Sequence, residues 1–426
     1  MEKNDRRNFL KQTGALAAAF SIPGFAMSGQ FPGATSSLTP PASLSDDDFW
    51  SWVRDSYTTS STIINFNNGG VSPQPKVVQD AHERYLRLCN EAPSYYMWRI
   101  LDQGRESLRM KLAGLSGCSP DEIAINRNST EGLNTVIFGL DLKAGDEIIL
   151  TLQDYPNMMN AWKQREKRDG VVLKIIDLKL PADDDDEIVE AFRKQISPRT
   201  RILMVTHVIN WTGQILPVKK LADLAHSNGA DIIVDGAHSF AQLDFKIPDL
   251  GADYFGTSLH KWLSAPFGSG MLYIRKEKIS KVWALLSNNI PDGNDIRKFE
   301  TLGTRSFASE MAIAQAVDFH LAIGSRRKLE RLRLLKSYWT EKVKNVPGIH
   351  FSTTMQPARS CAICTFSLQG MTVSDLEIRL LEKYKIHTSP IVYENINGVR
   401  ITPNVYTSFD ELDRLVSGIH EIAAKK

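Results

Sequence analysis

The sequence predicts an α/β fold: a mostly parallel sheet with helices on both faces, followed by a smaller C-terminal α+β domain. Three observations carry that expectation. First, from about Asp121 short β-rich apolar runs recur at Glu147–Thr151, Val172–Ile176, Arg201–Thr206, Asp231–Asp235, Tyr254–Thr257 and Gly270–Ile274. Amphipathic helical patterns lie between several of them, such as Val218–Ser227, which ends at Asn228-Gly229. Continuous apolar strands alternating with helices are the mark of a parallel sheet buried on both faces. Second, the rhythm changes after about Arg305, where helical patterns at Glu310–Ile323 and Lys328–Asn345 precede short strands and a last helix, Phe409–Ala424. Third, Asp235 ends one apolar strand and Lys261 follows the next, 26 residues later. Ligands of such sheets bind beyond the carboxyl ends of the strands, where both residues fall.

Composition sets the outer limits. The chain has 426 residues, enough for more than one domain, and 42% hydrophobic with 23% charged residues is ordinary for a globular protein. Its formal net charge is +2, from 51 basic and 49 acidic side chains. Residues 1–28 hold Lys3, Arg6, Arg7 and Lys11 against Glu2 and Asp5, so 47 of each sign remain beyond them. A neutral body predicts no nucleic-acid partner and no anionic membrane partner for the mature form. Asp5-Arg6-Arg7-Asn8-Phe9-Leu10-Lys11 and the apolar stretch Gly14–Met27 look like a twin-arginine export signal, with Ala26-Met27-Ser28 as a cleavage site. That reading places the protein in the periplasm or elsewhere outside the cytoplasm. Residues 29–44, rich in Ser, Thr, Pro and Gly, read as a flexible linker.

The chemistry-bearing residues are few. A lysine can form a Schiff base with the aldehyde of pyridoxal 5'-phosphate (PLP), and a carboxylate can keep the ring nitrogen protonated. Lys261, in Thr257-Ser258-Leu259-His260-Lys261-Trp262, and Asp235, in Ile232-Ile233-Val234-Asp235-Gly236-Ala237-His238, suit those two tasks. The bland alternatives are a surface lysine and a turn-forming aspartate. Asn128-Ser129-Thr130-Glu131-Gly132 opens a helix with apolar positions Leu133, Val136, Ile137 and Leu140. Ser129 and Thr130 either cap that helix or, with Ser258 and His260, form a phosphate cup helped by the helix dipole. His207, Asp235, His238 and His260 would permit a metal site, but their spacing does not require one. No Gly-x-Gly-x-x-Gly follows the early strands, which disfavours a nicotinamide enzyme. Cys361 and Cys364 lie in a run that reads as a strand, where residues three apart face opposite ways, so no disulfide is expected between them.

The Asp235 … His260-Lys261 block resembles that of the class V aminotransferases among the fold-type I PLP-dependent enzymes, in particular their isopenicillin N epimerase-like and cysteine desulfurase-like branch. The resemblance runs from about Asn65 to the C-terminus. It implies residues 67–305 as the large PLP-binding domain, 306–426 as the small domain, and 45–66 as an N-terminal segment packing near the latter. It further implies that Ser129 and Thr130 bind phosphate, that Tyr155 stacks on the cofactor ring, and that Asn210 and His238 approach the phenolic oxygen. Phe299–Arg305 resembles a segment reaching the phosphate of a neighbouring subunit, which assigns Thr304 to the cofactor and Arg305 to the substrate in a homodimer. Arg400, in Gly398-Val399-Arg400-Ile401, resembles the arginine that grips a substrate α-carboxylate, and a planar charged fork suits that task. Tyr96, in the cluster Tyr95–Trp98, is expected at the substrate pocket or in the core.

One departure counts. Desulfurases of one group place a nucleophilic cysteine shortly before this arginine, but Lys385-Ile386-His387-Thr388-Ser389-Pro390 contains none. The expected function is therefore PLP chemistry at the Cα of an amino acid or peptide substrate, by an epimerase-like enzyme or an aminotransferase. A C–S lyase or a non-catalytic binding protein on the same fold are the alternatives. Opposite charges about 4 Å apart gain roughly 4 kcal/mol at an effective dielectric near 20. Asp235→Asn is accordingly expected to lower turnover by up to roughly 10³, as single-turnover kinetics would measure.

Overall fold

The computed structural model of the protein describes residues 45–425. Residues 1–44, to which the export signal and linker were assigned, lie outside the described residues. The strands in chain order are β1 (Ile64–Asn65), β2 (Ile123–Asn126), β3 (Glu147–Thr151), β4 (Val172–Ile176), β5 (Thr200–Thr206), β6 (Asp231–Asp235), β7 (Tyr254–Ser258) and β8 (Gly270–Ile274). They are followed by β9 (Ile349–Phe351), β10 (Cys364–Leu368), β11 (Ile386–His387), β12 (Ser389–Tyr393) and β13 (Ile396–Ile401).

Seven strands form the central sheet in the order β2-β8-β7-β6-β5-β3-β4. Pairing is parallel from β7 through β4, whereas β8 runs antiparallel to both of its neighbours. The six expected strands all form, with ends within one residue. The seventh, β2, was not anticipated, because four residues are too few to show a period. Helix Ser129–Gly139 covers one face, and its Leu133, Val136, Ile137 and Leu140 enter a core with Ile148, Trp162 and Leu272. Asn128 starts that helix by accepting the Glu131 N–H at 2.8 Å. Helix Pro156–Asp169 carries Trp162 and ends at Gly170, whose φ of 74° suits a left-handed cap.

The C-terminal part is a four-stranded antiparallel sheet, β12-β13-β10-β9. Helices Ser325–Val343, Val373–Tyr384 and Phe409–Ala424 accompany it. Leu335, Trp339, Phe366, Leu380, Val399 and Leu415 share its core with Ile64 and Phe66 from the start of the described chain. β1 pairs in parallel with β11 at Ile64–Ile386 and Asn65–His387. Ser408 and Glu411 form a reciprocal capping box at the last helix. Two sequence expectations need correction. The helix expected over Glu310–Ile323 is broken at Ala312 into Phe307–Met311 and Ile313–Ile323, and the next begins at Ser325, just after Gly324 with φ 88°. Cys361 also precedes the strand, which starts only at Cys364; both thiols are free and buried.

One glycine locks the sheet beneath the candidate site. Gly236 follows Asp235, and a Cβ there would come within 1.9 Å of the Phe255 ring on β7. Gly236→Ala is expected to cost about 1–3 kcal/mol of stability, the usual penalty for overpacking, as urea unfolding would measure.

Candidate active site

The C-terminal ends of β5, β6 and β7 supply Thr206, Asp235 and Ser258 to one cavity of about 400 Å³. The same cavity is lined by Ser129, Thr130, Tyr155, Asn210, His238, His260, Lys261 and Arg400. Ten of the thirteen site residues expected from sequence thus meet in one place. The turn after β7 carries His260 and Lys261, while Arg400 arrives from β13 of the C-terminal sheet.

Asp235 is 4% exposed, and its Oδ1 accepts the Ala237 N–H at 2.9 Å. The turn-forming role and the site role therefore coexist in one carboxylate. Burial pushes its pKa up, while the Ala237 N–H and the Lys261 charge pull it down. Behind it lies a second acid that sequence reasoning missed. Asp154 is fully buried and accepts the Thr206 hydroxyl at 2.5 Å and the Thr151 N–H at 2.8 Å. Desolvation, reinforced by the charge of Asp235, raises it to about 6. Its place directly before Tyr155 was the only local signal.

Lys261 Nζ stands 3.1 Å from His238 Nε2. Desolvation lowers the lysine to about 8, Asp235 opposes that shift, and Arg400 adds to it. His238 is held well below the usual histidine range, first by burial and then by the positive charges of Lys261 and Arg400. His260 Nδ1 lies 3.0 Å from the Ser269 carbonyl, which accepts a hydrogen bond from it. Burial also lowers the pKa of His260.

The cup at the N-terminus of helix Ser129–Gly139 is already assembled. Ser129 N–H donates to Ser258 Oγ at 3.0 Å, and the two hydroxyls are 3.2 Å apart. Close approach matters here too, since a Cβ on Gly270 would lie 2.3 Å from Asn126 Oδ1 and 2.5 Å from Asn128 Cα. Three hydroxyls at a helix N-terminus have the chemistry to receive an anion.

Arg400 is 6% exposed. It donates from Nη1 to the Asn210 carbonyl at 2.9 Å and from Nη2 to Asn67 Oδ1 at 3.0 Å. Among the described residues its Nε has no partner, nor has the buried Oδ1 of Asn210. Desolvation lowers the guanidinium to about 10. A buried cation held only by neutral oxygens is an incomplete ion pair, and a carboxylate completes it best. Gly69, Gly70, Trp211, Ser389, Pro390 and Ile391 also line the cavity. None of these six carries a titratable side chain, which is why sequence reasoning passed over them.

Three expected residues lie elsewhere in their own chain. Tyr96 begins a wide helical turn, Tyr96–Leu101, and packs edge-on to Tyr95 at 5.4 Å. Thr304 is exposed on the loop before helix Phe307–Met311. Arg305 is engaged by Glu310 at 2.5 Å and by the Gly303 carbonyl at 3.2 Å, so it does not line this cavity. His207 also stays out, packed edge-on to Phe245 at 5.1 Å. No cysteine lines the cavity. Burial pushes Cys361 up to about 11 and Cys364 up to about 12, which keeps both as thiols.

An amine near neutrality, an acid across from it, an anion cup and an unpaired Asn210 Oδ1 fit PLP. Lys261 would hold its aldehyde carbon, Asp235 its ring nitrogen, and Ser129, Thr130, Ser258 and His260 its phosphate. The fold and the site together define a fold-type I PLP-dependent enzyme. Residues 64–390 match the family described as aminotransferase class-V, and the chain belongs to that family. Arg400 lies beyond the matched span. Among its relatives, the isopenicillin N epimerase of Amycolatopsis lactamdurans is 28% identical over 393 residues, spanning 88% of this chain and 98% of the relative. A probable cysteine desulfurase of Halalkalibacterium halodurans is 27% identical, spanning 76% and 82%. The apo structure of a cysteine desulfurase from Thermococcus onnurineus superposes with a TM-score of 0.79 at 24% identity, covering 91% of this chain and all of that one.

The lysine sets a pH dependence. Its pKa of about 8 in the folded protein lies below the ordinary 10.5, so the folded state disfavours the charged form. Below about 8 the amine is protonated and unreactive; above it the free amine dominates. Reductive labelling of Lys261 in the apoprotein by a small aldehyde is expected to rise with pH and reach half its maximum near pH 8, read by peptide mass spectrometry. The same shift contributes stability that is full above the unfolded pKa and is lost as pH falls from about 10.5 toward 8.

Proposed function

We propose that this enzyme acts at the Cα of an amino acid or amino-acid-containing compound and returns a proton to that carbon, an epimerase-like reaction. The observation that carries the proposal is the presence of Lys261 and the incompletely paired Arg400 in one cavity that no thiol lines. Arg400 would hold the substrate carboxylate through the N–H groups that its two carbonyl partners leave free. Lys261, as the neutral amine, would take the Cα proton. The chemistry that PLP supplies when bound is stabilisation of the negative charge left at that carbon. Tyr155 lines the same cavity beside Arg400 and is the candidate acid for return of the proton on the other face. Relatives that are isopenicillin N epimerases span nearly their whole length with this chain, which supports the branch.

Transamination is the second reading, and one observation favours it. Lys261 is the cavity residue whose pKa is brought close to neutrality from above, while His238 and His260 are lowered away from it. A single base that both takes and redelivers the proton serves transamination well. Sulfur transfer through a protein persulfide is disfavoured, because Cys361 and Cys364 are buried and Ser389 lines the cavity in the stretch before Arg400.

The enzyme is further proposed to act as a homodimer, with Thr304 and Arg305 serving the neighbouring site. A second cavity of about 540 Å³, lined by Leu285, Leu286, Thr301 and Leu302, shares Asn128 and Thr130 with the cofactor cavity and supports that arrangement. The Arg6-Arg7 signal supports export by the twin-arginine pathway.

Incubation of the holoenzyme with amino acids and peptides in deuterated water tests the reaction type. Exchange at Cα with inversion is expected. Release of a keto acid would instead establish transamination, alanine with sulfide would establish C–S cleavage, and absence of all three would defeat the enzyme reading. Arg400→Gln is expected to weaken substrate binding about tenfold or more, the scale of a lost charge-assisted hydrogen bond, in a spectral titration of the holoenzyme.

A further inference from the structure

We infer that Trp262 is a positioning residue that fixes the proton of His238 on Nε2, so that His238 meets the cofactor site as a hydrogen-bond donor. This rests on the PLP reading for its consequence, but not for its geometry. Trp262 follows Lys261 and is completely buried. Its Nε1–H donates to His238 Nδ1 at 3.3 Å, and the two rings meet at 65° with centroids 6.4 Å apart. An indole N–H can only donate, so the nitrogen that receives it must present a lone pair. A neutral imidazole carries one proton, which leaves it on Nε2. The groups facing His238 favour neutrality: it is 5% exposed, and the nearby charges of Lys261 and Arg400 are both positive.

Nε2 is the nitrogen turned toward Lys261, 3.1 Å from Nζ. An N–H on that side needs an acceptor, and the lysine supplies one only as the free amine. The depressed pKa of Lys261 agrees with that requirement. Once the lysine is engaged elsewhere, the same N–H stays available to an oxyanion such as a phenolate. The opposite tautomer would present a lone pair there and repel it.

The tryptophan is itself held from the far side. Its carbonyl accepts a hydrogen bond from Lys328 Nζ. Lys328 is 2% exposed and lies on helix Ser325–Val343, and desolvation lowers it to about 7. The turn continues through Ser264, whose φ of 59° places a non-glycine residue in the left-handed region. Ser264 N–H returns to the Lys261 carbonyl at 3.1 Å, and Ala265 N–H to the Leu259 carbonyl at 3.1 Å. The backbone on both sides of Lys261 is thus fixed, and the indole has little freedom to leave His238. A merely space-filling tryptophan would leave the position of the His238 proton indifferent to its removal.

The test is nitrogen NMR of the full chain with ¹⁵N-labelled histidine, His238 being assigned by its loss in His238→Gln. In the apoprotein above about pH 8, where Lys261 is the free amine, the proton is expected on Nε2, and in Trp262→Phe it is expected to redistribute to Nδ1. Trp262→Phe should also weaken PLP binding about tenfold, on the scale of a hydrogen bond to a charged group. In the His238→Gln background, where an amide N–H needs no tautomer to be chosen, the same substitution should cost less than about twofold, a coupling that a double-mutant cycle isolates. A proton found on Nδ1 in the wild-type chain above about pH 8 overturns the inference, whether or not the variants fold. An equal loss of PLP affinity in both backgrounds overturns it as well. Failure of the wild-type chain to bind PLP would instead strike the cofactor reading, leaving the tautomer measurement to decide on Trp262.

Discussion

The parallel pairing of β6 with β7 is the constraint on which the site depends. It sets Asp235 opposite Gly256 and leaves Ser258, His260 and Lys261 to emerge beyond the same sheet edge. The register tolerates no slip, because a shift of one residue would turn Asp235 into the opposite face. Gly236 and Gly256 allow the close contacts that this register demands, with the Phe255 ring against one and Leu133 against the other. Antiparallel β8 pairs beside β7 and sets Gly270 against Asn126 and Asn128, at the start of the helix that carries Ser129 and Thr130. Geometry at the cofactor site is therefore a consequence of strand packing several residues away.

Electrostatics at the site follows from burial. Asp235, Asp154, Lys261, His238 and Arg400 all have pKa values displaced first by desolvation. Each displacement moves the group toward its neutral form, as loss of water must. The energy of keeping such groups is recovered only when a charged ligand completes them. That is why the cavity combines an open anion cup, an amine and a guanidinium without a carboxylate partner. The buried cluster around Glu300 shows the contrasting solution, since Glu300 is satisfied by Arg105 at 2.9 Å, by Arg109 at 2.6 Å and by the Ile125 N–H at 2.7 Å. That cluster holds the chain just before Thr304, and its charges are paired with one another.

Pattern made six strands of the central sheet and the helices Val218–Ser227 and Phe409–Ala424 legible, because those strands are mostly apolar runs and each helix buries one face. β2 escaped notice, since four residues carry no usable period, and the break at Ala312 escaped because no proline or glycine marks it. At the site, residues with distinctive chemistry could be named in advance: Asp235, Lys261, Arg400, Ser129, Thr130. Those acting through shape or backbone could not. Gly69, Trp211 and Ile391 line the cavity without any local mark of function. Asp154 and Asn67 matter only because folding places them beside Thr206 and Arg400.

By itself, the sequence determined the class of fold, the cofactor and the candidate lysine for it, because strand patterning and a strand-end acid followed by a lysine are local properties. Tertiary structure decided the protonation of those groups. Burial lowers Lys261 to about 8, two neutral oxygens orient Arg400, and the Trp262 indole and Lys261 amine bracket the two nitrogens of His238. Residue identity states what a side chain is able to do. Desolvation and neighbouring charge, which exist only once the chain is packed, decide which proton it carries while doing it.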